Sequence, residues 1–160
     1  MSLNTDNLLH KFGNNLKLNE NLSRYNWFNL GGPAQIFFRP ESKSQLIEFL
    51  KDLKNIDLKI HVLGAGSNTL VRDKGYNGAV IKIGSKFSNI RLIAKDTIEA
   101  ESGALDKKVS DFAKENDISN LEFLSCIPGS IGGAVVMNSG CYGSDISKIL
   151  ISIKVIDDEG

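Results

Sequence analysis

Two glycine-rich stretches hold the residues of this chain best suited to chemistry. They are Gly64-Ala65-Gly66-Ser67-Asn68 and Pro128-Gly129-Ser130-Ile131-Gly132-Gly133, each reached from an apolar run. A diphosphate presents clustered negative charge and many acceptors. Converging backbone N–H groups answer it where glycine allows unusual dihedrals and close approach. Gly64, Gly66, Ser67 and Asn68 offer such donors, and Ser67 and Asn68 add side-chain groups to a loop without Lys or Arg. No Gly-Lys-Ser/Thr follows, and a Gly-x-Gly-x-x-Gly opening a helix is absent, so the common phosphate patterns do not apply. A plain tight turn between two strands accounts for the first loop equally well. Over residues 127–143, five glycines fall among Pro128, Ser130, Asn138, Ser139 and Tyr142, which leaves room for a flat ring. Asn138, Ser139 and Tyr142 could bond or stack on a heterocycle, with Ala134, Val135 and Val136 packed beneath it. The plainer account is a loop that lets two layers approach closely.

Other candidates are isolated. His10 and His61 have no catalytic pairing, and His61, beside Val62 in an apolar run, reads as a packed or rim histidine. Trp27 and Phe28 could cover a site, though filling a core suits them better. Arg72 and Asp73 could meet a phosphate or form an exposed ion pair. Cys126 and Cys141 are too few for a disulfide framework or a zinc site and read as buried or half-buried thiols; no metal site is expected. No serine has a His and Asp context. Nineteen basic residues balance nineteen acidic ones, which disfavours a sequence-independent grip on nucleic acid or on an anionic membrane. With 41% hydrophobic residues in 160, and no apolar run long enough to span a bilayer, the chain reads as a globular, cytoplasmic domain without a targeting segment.

The elements that must position these loops follow from periodicity. Residues 1–24 are polar, with Leu3, Leu8, Leu9, Phe12 and Leu16 spaced for a short amphipathic helix, ending in an Asn-rich stretch; they read as a leader. Gln35 to Arg39 predicts a strand. Ser42 then predicts a helix start with Gln45 as capping-box partner, and Leu46, Phe49, Leu50 and Leu53 form the buried stripe. Ile60 to Leu63 and Ala79 to Ile83 predict further strands, giving an α/β unit. Beyond Gly84, Ile90 to Ala94 and Thr97 to Glu101 predict an antiparallel hairpin across Lys95-Asp96, and Leu105, Val109, Phe112 and Ala113 mark a helix to about Glu115. Ile149 to Ile156 alternates as a half-buried strand and ends in the turn signal Asp157-Asp158-Glu159-Gly160, which suggests a hairpin partner in a longer protein.

Taken in order, Tyr25-Asn26-Trp27-Phe28, Gly31-Gly32-Pro33-Ala34, Leu63-Gly64-Ala65-Gly66-Ser67-Asn68, Leu121-Glu122-Phe123, Ile127 to Ala134 and Asn138-Ser139-Gly140-Cys141-Tyr142-Gly143 resemble the UDP-N-acetylenolpyruvoylglucosamine reductases from about Ser23 to Gly160. The resemblance implies an α+β, vanillyl-alcohol-oxidase or PCMH-type FAD-binding fold, truncated, in which an α/β subdomain and a largely antiparallel one clasp FAD. The implied division is a leader at 1–22, subdomains at 23–84 and 85–160, and an absent substrate-binding domain. It implies that NADPH reduces the flavin, which reduces the enolpyruvyl group of the UDP-sugar to UDP-N-acetylmuramate for peptidoglycan. Gly64, Ala65, Gly66, Ser67 and Asn68 would wrap the pyrophosphate. Gly129, Ser130, Ile131, Gly132 and Gly133 would line the flavin, with Asn138, Tyr142 and Gly143 close by and Ser102 and Gly103 also approaching. Trp27 departs from the family's frequent threonine, and Asn120 from its frequent glycine. The family's catalytic arginine, serine and glutamate would lie after Gly160, so no catalytic residue is assigned and the 160-residue chain alone is expected to be inactive. The expected partner is the UDP-sugar, with no nucleic acid, no membrane and a monomeric full-length protein. The competing readings are another FAD-dependent oxidase or dehydrogenase of this fold and a non-catalytic FAD-binding fragment.

Overall fold

The computed structural model describes residues 5–54, 56, 58–157 and 160. Leu3, expected on the first helix, and Asp158 and Glu159 of the terminal turn lie outside the described residues. The chain forms two compact units, one of residues 1–63, 68–82 and 154–160, the other of residues 64–67 and 83–153.

The first unit is built on a four-stranded sheet with β1 (Leu16–Asn21), β2 (Pro33–Phe38), β3 (Ile60–Leu63) and β4 (Tyr76–Lys82) in the order β1-β2-β4-β3. β1 runs antiparallel to β2, while β2, β4 and β3 are parallel. Helices α1 (Thr5–Phe12) and α2 (Lys43–Leu53) cover one face. There Phe38 stacks on Phe49 at 4.1 Å, and the Phe12 ring meets both edge-on at 5.1 and 5.4 Å. Because successive strand side chains alternate, Phe37 points to the other face. It stacks on Tyr25 at 4.3 Å and packs with Leu22, Ala34, Leu63 and Val80. Covering both faces is what a parallel sheet requires.

The start of α2 follows the expected chemistry with one change. Ser42 Oγ accepts from Gln45 N at 3.2 Å, but the Gln45 side chain returns to Glu41 N, at 2.8 Å, rather than to the cap residue itself. The Asn-rich stretch read as part of a leader is instead the edge strand β1, and Leu8, Phe12, Leu16 and Leu22 are buried. Pairing to β2 overrides the poor strand propensity of its asparagines. Trp27 and Phe28 do not fill the core; they are 62% and 55% exposed. The buried amide of Asn26 fixes their loop, donating from Nδ2 to the carbonyls of Leu22 and Leu30, both at 2.8 Å.

In the second unit the hairpin forms as expected from β5 (Ile90–Ala94) and β6 (Thr97–Ala100). Helix α3 (Asp106–Glu115), a 3₁₀ turn at Glu122–Cys126 and helix α4 (Ile131–Met137) follow, then a short ladder of β7 (Gly140–Cys141) and β8 (Ser144–Asp145). Their core holds Ala104, Val109, Phe123, Leu124, Ala134 and Ile146. Two expectations fail here. Residues 150–157 form no strand; Ile151, Ile153 and Val155 are exposed, because alternation makes a strand only where a neighbour supplies the ladder. Cys126 is exposed rather than buried, and Cys141 is half-buried; both are free thiols.

Candidate functional site

The first glycine loop is not a tight turn between strands. β3 and β4 are parallel neighbours, so residues 64–75 must carry the chain back along the sheet, and they do so without a helix. Gly66 takes φ +78°, in the region glycine supplies without steric cost. Among the described residues, Ala65, Gly66, Ser67 and Asn68 have no hydrogen-bond partner within the chain, so their backbone donors are uncommitted. Further along, Arg72 and Asp73 form no ion pair among the described residues. The Arg72 carbonyl instead accepts from Gly32 N and Gly75 N at 2.9 and 2.8 Å. A Cβ on Gly32 or Gly75 would strike the Asp73 or Pro33 backbone, which explains Gly31-Gly32-Pro33 as close backbone approach.

The second glycine stretch is partly helical. After Pro128 and Gly129 the chain caps α4 with Ser130, and Ile131, Gly132 and Gly133 are its first turn. Ile131 N donates to Ala104 O at 2.9 Å and Gly132 N to Ser102 O at 2.8 Å, with Leu105 bridged to Ser130. A Cβ on Gly132 would lie 2.9 Å from Ser102 Cβ, and one on Gly103 would lie 2.5 Å from Gly84 O. Gly103 and Gly132 therefore serve close packing. Gly133 differs, because the nearest atom to its added Cβ is Ser130 Oγ at 3.8 Å, and its N–H has no acceptor among the described residues.

Ser130 joins the two loops within this unit. It is 4% exposed, its Oγ would lie 2.6 Å from a Cβ on Gly64, and that hydroxyl has no hydrogen-bond partner. A buried hydroxyl without a partner costs about 1–3 kcal/mol, so it is poised for a group that arrives. Behind it lies a residue that motif reading missed. Asp106 opens α3, is 0% exposed, and neither carboxylate oxygen has a partner. Burial pushes its carboxyl up to about 6. The signal was available: Asp106, Val109 and Ala113 share the buried helical stripe, with the acid at its head.

Beyond α4, Asn138 takes a left-handed φ of +45° and its Oδ1 accepts from Ser147 N at 2.8 Å, so much of its amide is spent on the loop. The Ser147 hydroxyl, at 2.5 Å, holds the Asp145 carboxyl below its usual range, with Lys148 and Asn138 contributing. Tyr142 and Gly143 are the two-residue turn between β7 and β8, with φ +52° and +79°, a type I′ signature. The Tyr142 side chain is 89% exposed. A tyrosine held at positive φ with its ring presented outward is a conformation that tends to persist for function. His61 lies exposed in β3, its ring 5.8 Å from that of Tyr76.

Within the second unit, uncommitted amides at Ala65 to Ser67, an unpartnered Ser130 hydroxyl and an open Gly133 suit an uncharged grip on a diphosphate with a ring. Comparison decides the class: the family description "FAD binding domain" matches residues 34–160. The chain belongs to that family. FAD is accordingly its cofactor, and the fold is the mixed α+β, PCMH-type one expected. The FAD-binding chain is 47% identical over 156 residues to the UDP-N-acetylenolpyruvoylglucosamine reductase of Pelagibacter ubique, covering 95% of this chain and 51% of that protein. It is 45% identical over 145 residues to the enzyme of the same name from Lactococcus lactis, covering 91% of this chain and 48% of the relative. A crystal structure of UDP-N-acetylenolpyruvylglucosamine reductase from Thermus caldophilus matches with TM-score 0.64 and 29% identity, over 82% of this chain and 44% of that one. The FAD-binding chain thus spans about half the length of these relatives.

Proposed function

We propose that this chain is the FAD-binding half of a flavoprotein reductase that converts UDP-N-acetylenolpyruvoylglucosamine to UDP-N-acetylmuramate for peptidoglycan, with NADPH as the source of hydride. The identity to reductases of that name supports the substrate class. The observation that carries the site is the Ser130 hydroxyl, buried and unpartnered against Gly64 in the matched segment. The amides of Ala65 to Ser67, beside Gly64, would hold the pyrophosphate, Ser130 Oγ and Gly133 N–H would bond the ring system, and Ile131 would pack against it. Gly132 and Gly103 let Ser102 and the loop close up, and the exposed Tyr142, on the Asn138 to Gly143 segment, would cover the ring's open edge. The flavin, when bound, supplies the hydride transfer. The chain's own work is binding, orientation and exclusion of water. The FAD-binding subdomains correspond to the units of residues 1–63, 68–82 and 154–160 and of residues 64–67 and 83–153 rather than to 23–84 and 85–160, and the substrate-binding and catalytic groups lie in the half of the relatives that this chain does not span. The full-length enzyme is proposed to be cytoplasmic and monomeric; no helix of the described residues is long and apolar enough to cross a membrane.

The test is to mix the purified 160-residue chain with FAD, remove free cofactor by gel filtration and record the visible spectrum. A retained flavin band with altered fine structure is expected, and a colourless chain overturns the assignment. Extending the chain through the region that completes its relatives should then confer NADPH oxidation dependent on the UDP-sugar.

A further inference from the structure

Asp106 has no place in the function just described. It is the one acidic side chain that the second unit buries completely among its described residues, and a carboxylate with neither oxygen bonded is among the costliest groups to enclose. Its position is well defined. Asp106 N donates to Gly129 O at 3.2 Å, the adjacent Leu105 bridges to Ser130, and Asp106 Oδ2 would lie 2.5 Å from a Cβ on Gly129. The carboxyl thus lies directly against the Gly129 Cα, at the root of the loop carrying the unpartnered Ser130 hydroxyl. It forms no ion pair among the described residues. The titratable groups on the packed elements are Lys107, Lys108, Asp111, Lys114 and Glu115 on α3, all but Asp111 exposed, and Glu122 and Cys126 on the 3₁₀ turn, while α4 carries none. Lys107 pairs with Asp111 at 3.2 Å in solvent, Glu122 and Cys126 are exposed, and burial alone displaces Asp106.

From this geometry we infer that Asp106 is a positioning residue for the flavin-cradling loop, acting as a neutral carboxyl against Gly129, so that retention of FAD is coupled to a single proton. The physical route is short. An ion at this position must find water or donors, and the nearest way is to displace Gly129 and Ser130, which opens the cradle. A flavin seated on Ser130 and Gly133 closes that route and so makes ionisation harder. By linkage, ionisation then weakens the flavin. The inference rests on the assignment of Gly129 to Gly133 to the cradle.

The test measures the Kd for FAD from pH 5 to pH 8, by flavin fluorescence, with the full chain and with Asp106→Asn. Each unit by which FAD raises the Asp106 pKa weakens binding tenfold across its titration. Roughly a tenfold weakening is expected for the native chain and under about twofold for Asp106→Asn, which keeps the shape and cannot ionise. A native Kd that is flat with pH, or a slope that survives in Asp106→Asn, overturns the inference while leaving the cradle intact. Failure of the native chain to bind FAD at any pH overturns the cradle assignment and the inference with it. If Asp106→Asn does not fold, ¹³C NMR titration of the Asp106 carboxyl in the native chain decides. Titration displaced upward and rising further on adding FAD supports the inference, and titration in the ordinary carboxylate range, or unmoved by FAD, overturns it.

Discussion

Ser130 and Gly129 are neighbours whose substitutions should fail in different ways. Ser130→Ala removes a buried hydroxyl that has no partner, so thermal unfolding of the apo chain is expected to stay level or improve by up to about 1 kcal/mol. Flavin titration should meanwhile show affinity about tenfold weaker, the worth of one hydrogen bond to the cofactor. Gly129→Ala instead drives a methyl onto Asp106 Oδ2, and denaturant melts should record a loss of about 1–3 kcal/mol. Residue types alone pointed to Ser130 and to the glycines, because few other patterns concentrate small residues in this way. They did not separate glycines that pack, such as Gly103 and Gly132, from one that leaves space, Gly133, since only neighbouring atoms make that distinction. Asn120 shows how a departure from a common glycine is accommodated: it takes φ +74°, a conformation asparagine tolerates better than other non-glycine residues.

Elements were legible where a local rule decided them. Helix α2 has a capping serine, an apolar stripe and no breaker, and its start falls where expected. Ser42→Ala is accordingly expected to cost about 1 kcal/mol in thermal unfolding without changing the flavin spectrum. β1 was illegible because its pairing to β2 is a tertiary fact written over asparagines, and α4 because two glycines in its first turn argue locally against a helix. The run at 149–156 misled in the opposite direction: its alternation is real, but no ladder exists among the described residues to use it. The β7–β8 turn offers an experiment at this scale. Tyr142→Gly relieves the positive φ and should stabilise the fold by about 1 kcal/mol. If the ring covers the flavin, the same change should make bound-flavin fluorescence more accessible to an external quencher.

For the molecule as a whole, carboxyls displaced in opposite senses shape the dependence on pH. Asp106 is displaced from 3.8 to about 6 in the folded chain, so the folded state holds its proton the more tightly. The resulting penalty is absent below about pH 4, grows through the interval and is complete above about pH 6, lowering stability by up to about 3 kcal/mol. Glu20 has the opposite sense: the Tyr25 hydroxyl, at 2.7 Å, holds its carboxyl below 4.5, and that contribution disappears as the solution is acidified through the lowered value. Stability of the apo chain should therefore peak at about pH 4, and Asp106→Asn should flatten only the alkaline side; chemical denaturation across that range checks both limbs. The strand order β1-β2-β4-β3 has a further consequence, for biosynthesis. The central strand, Tyr76–Lys82, is the last of the four to leave the ribosome, after both strands that flank it. Until it inserts, β2 can zip only to β1, and β3 has no companion in the sheet. The nascent chain must keep the inner edges of β2 and β3 open and apart, and a central strand that arrives late is the point at which a chaperone, or a second nascent copy, would compete for them.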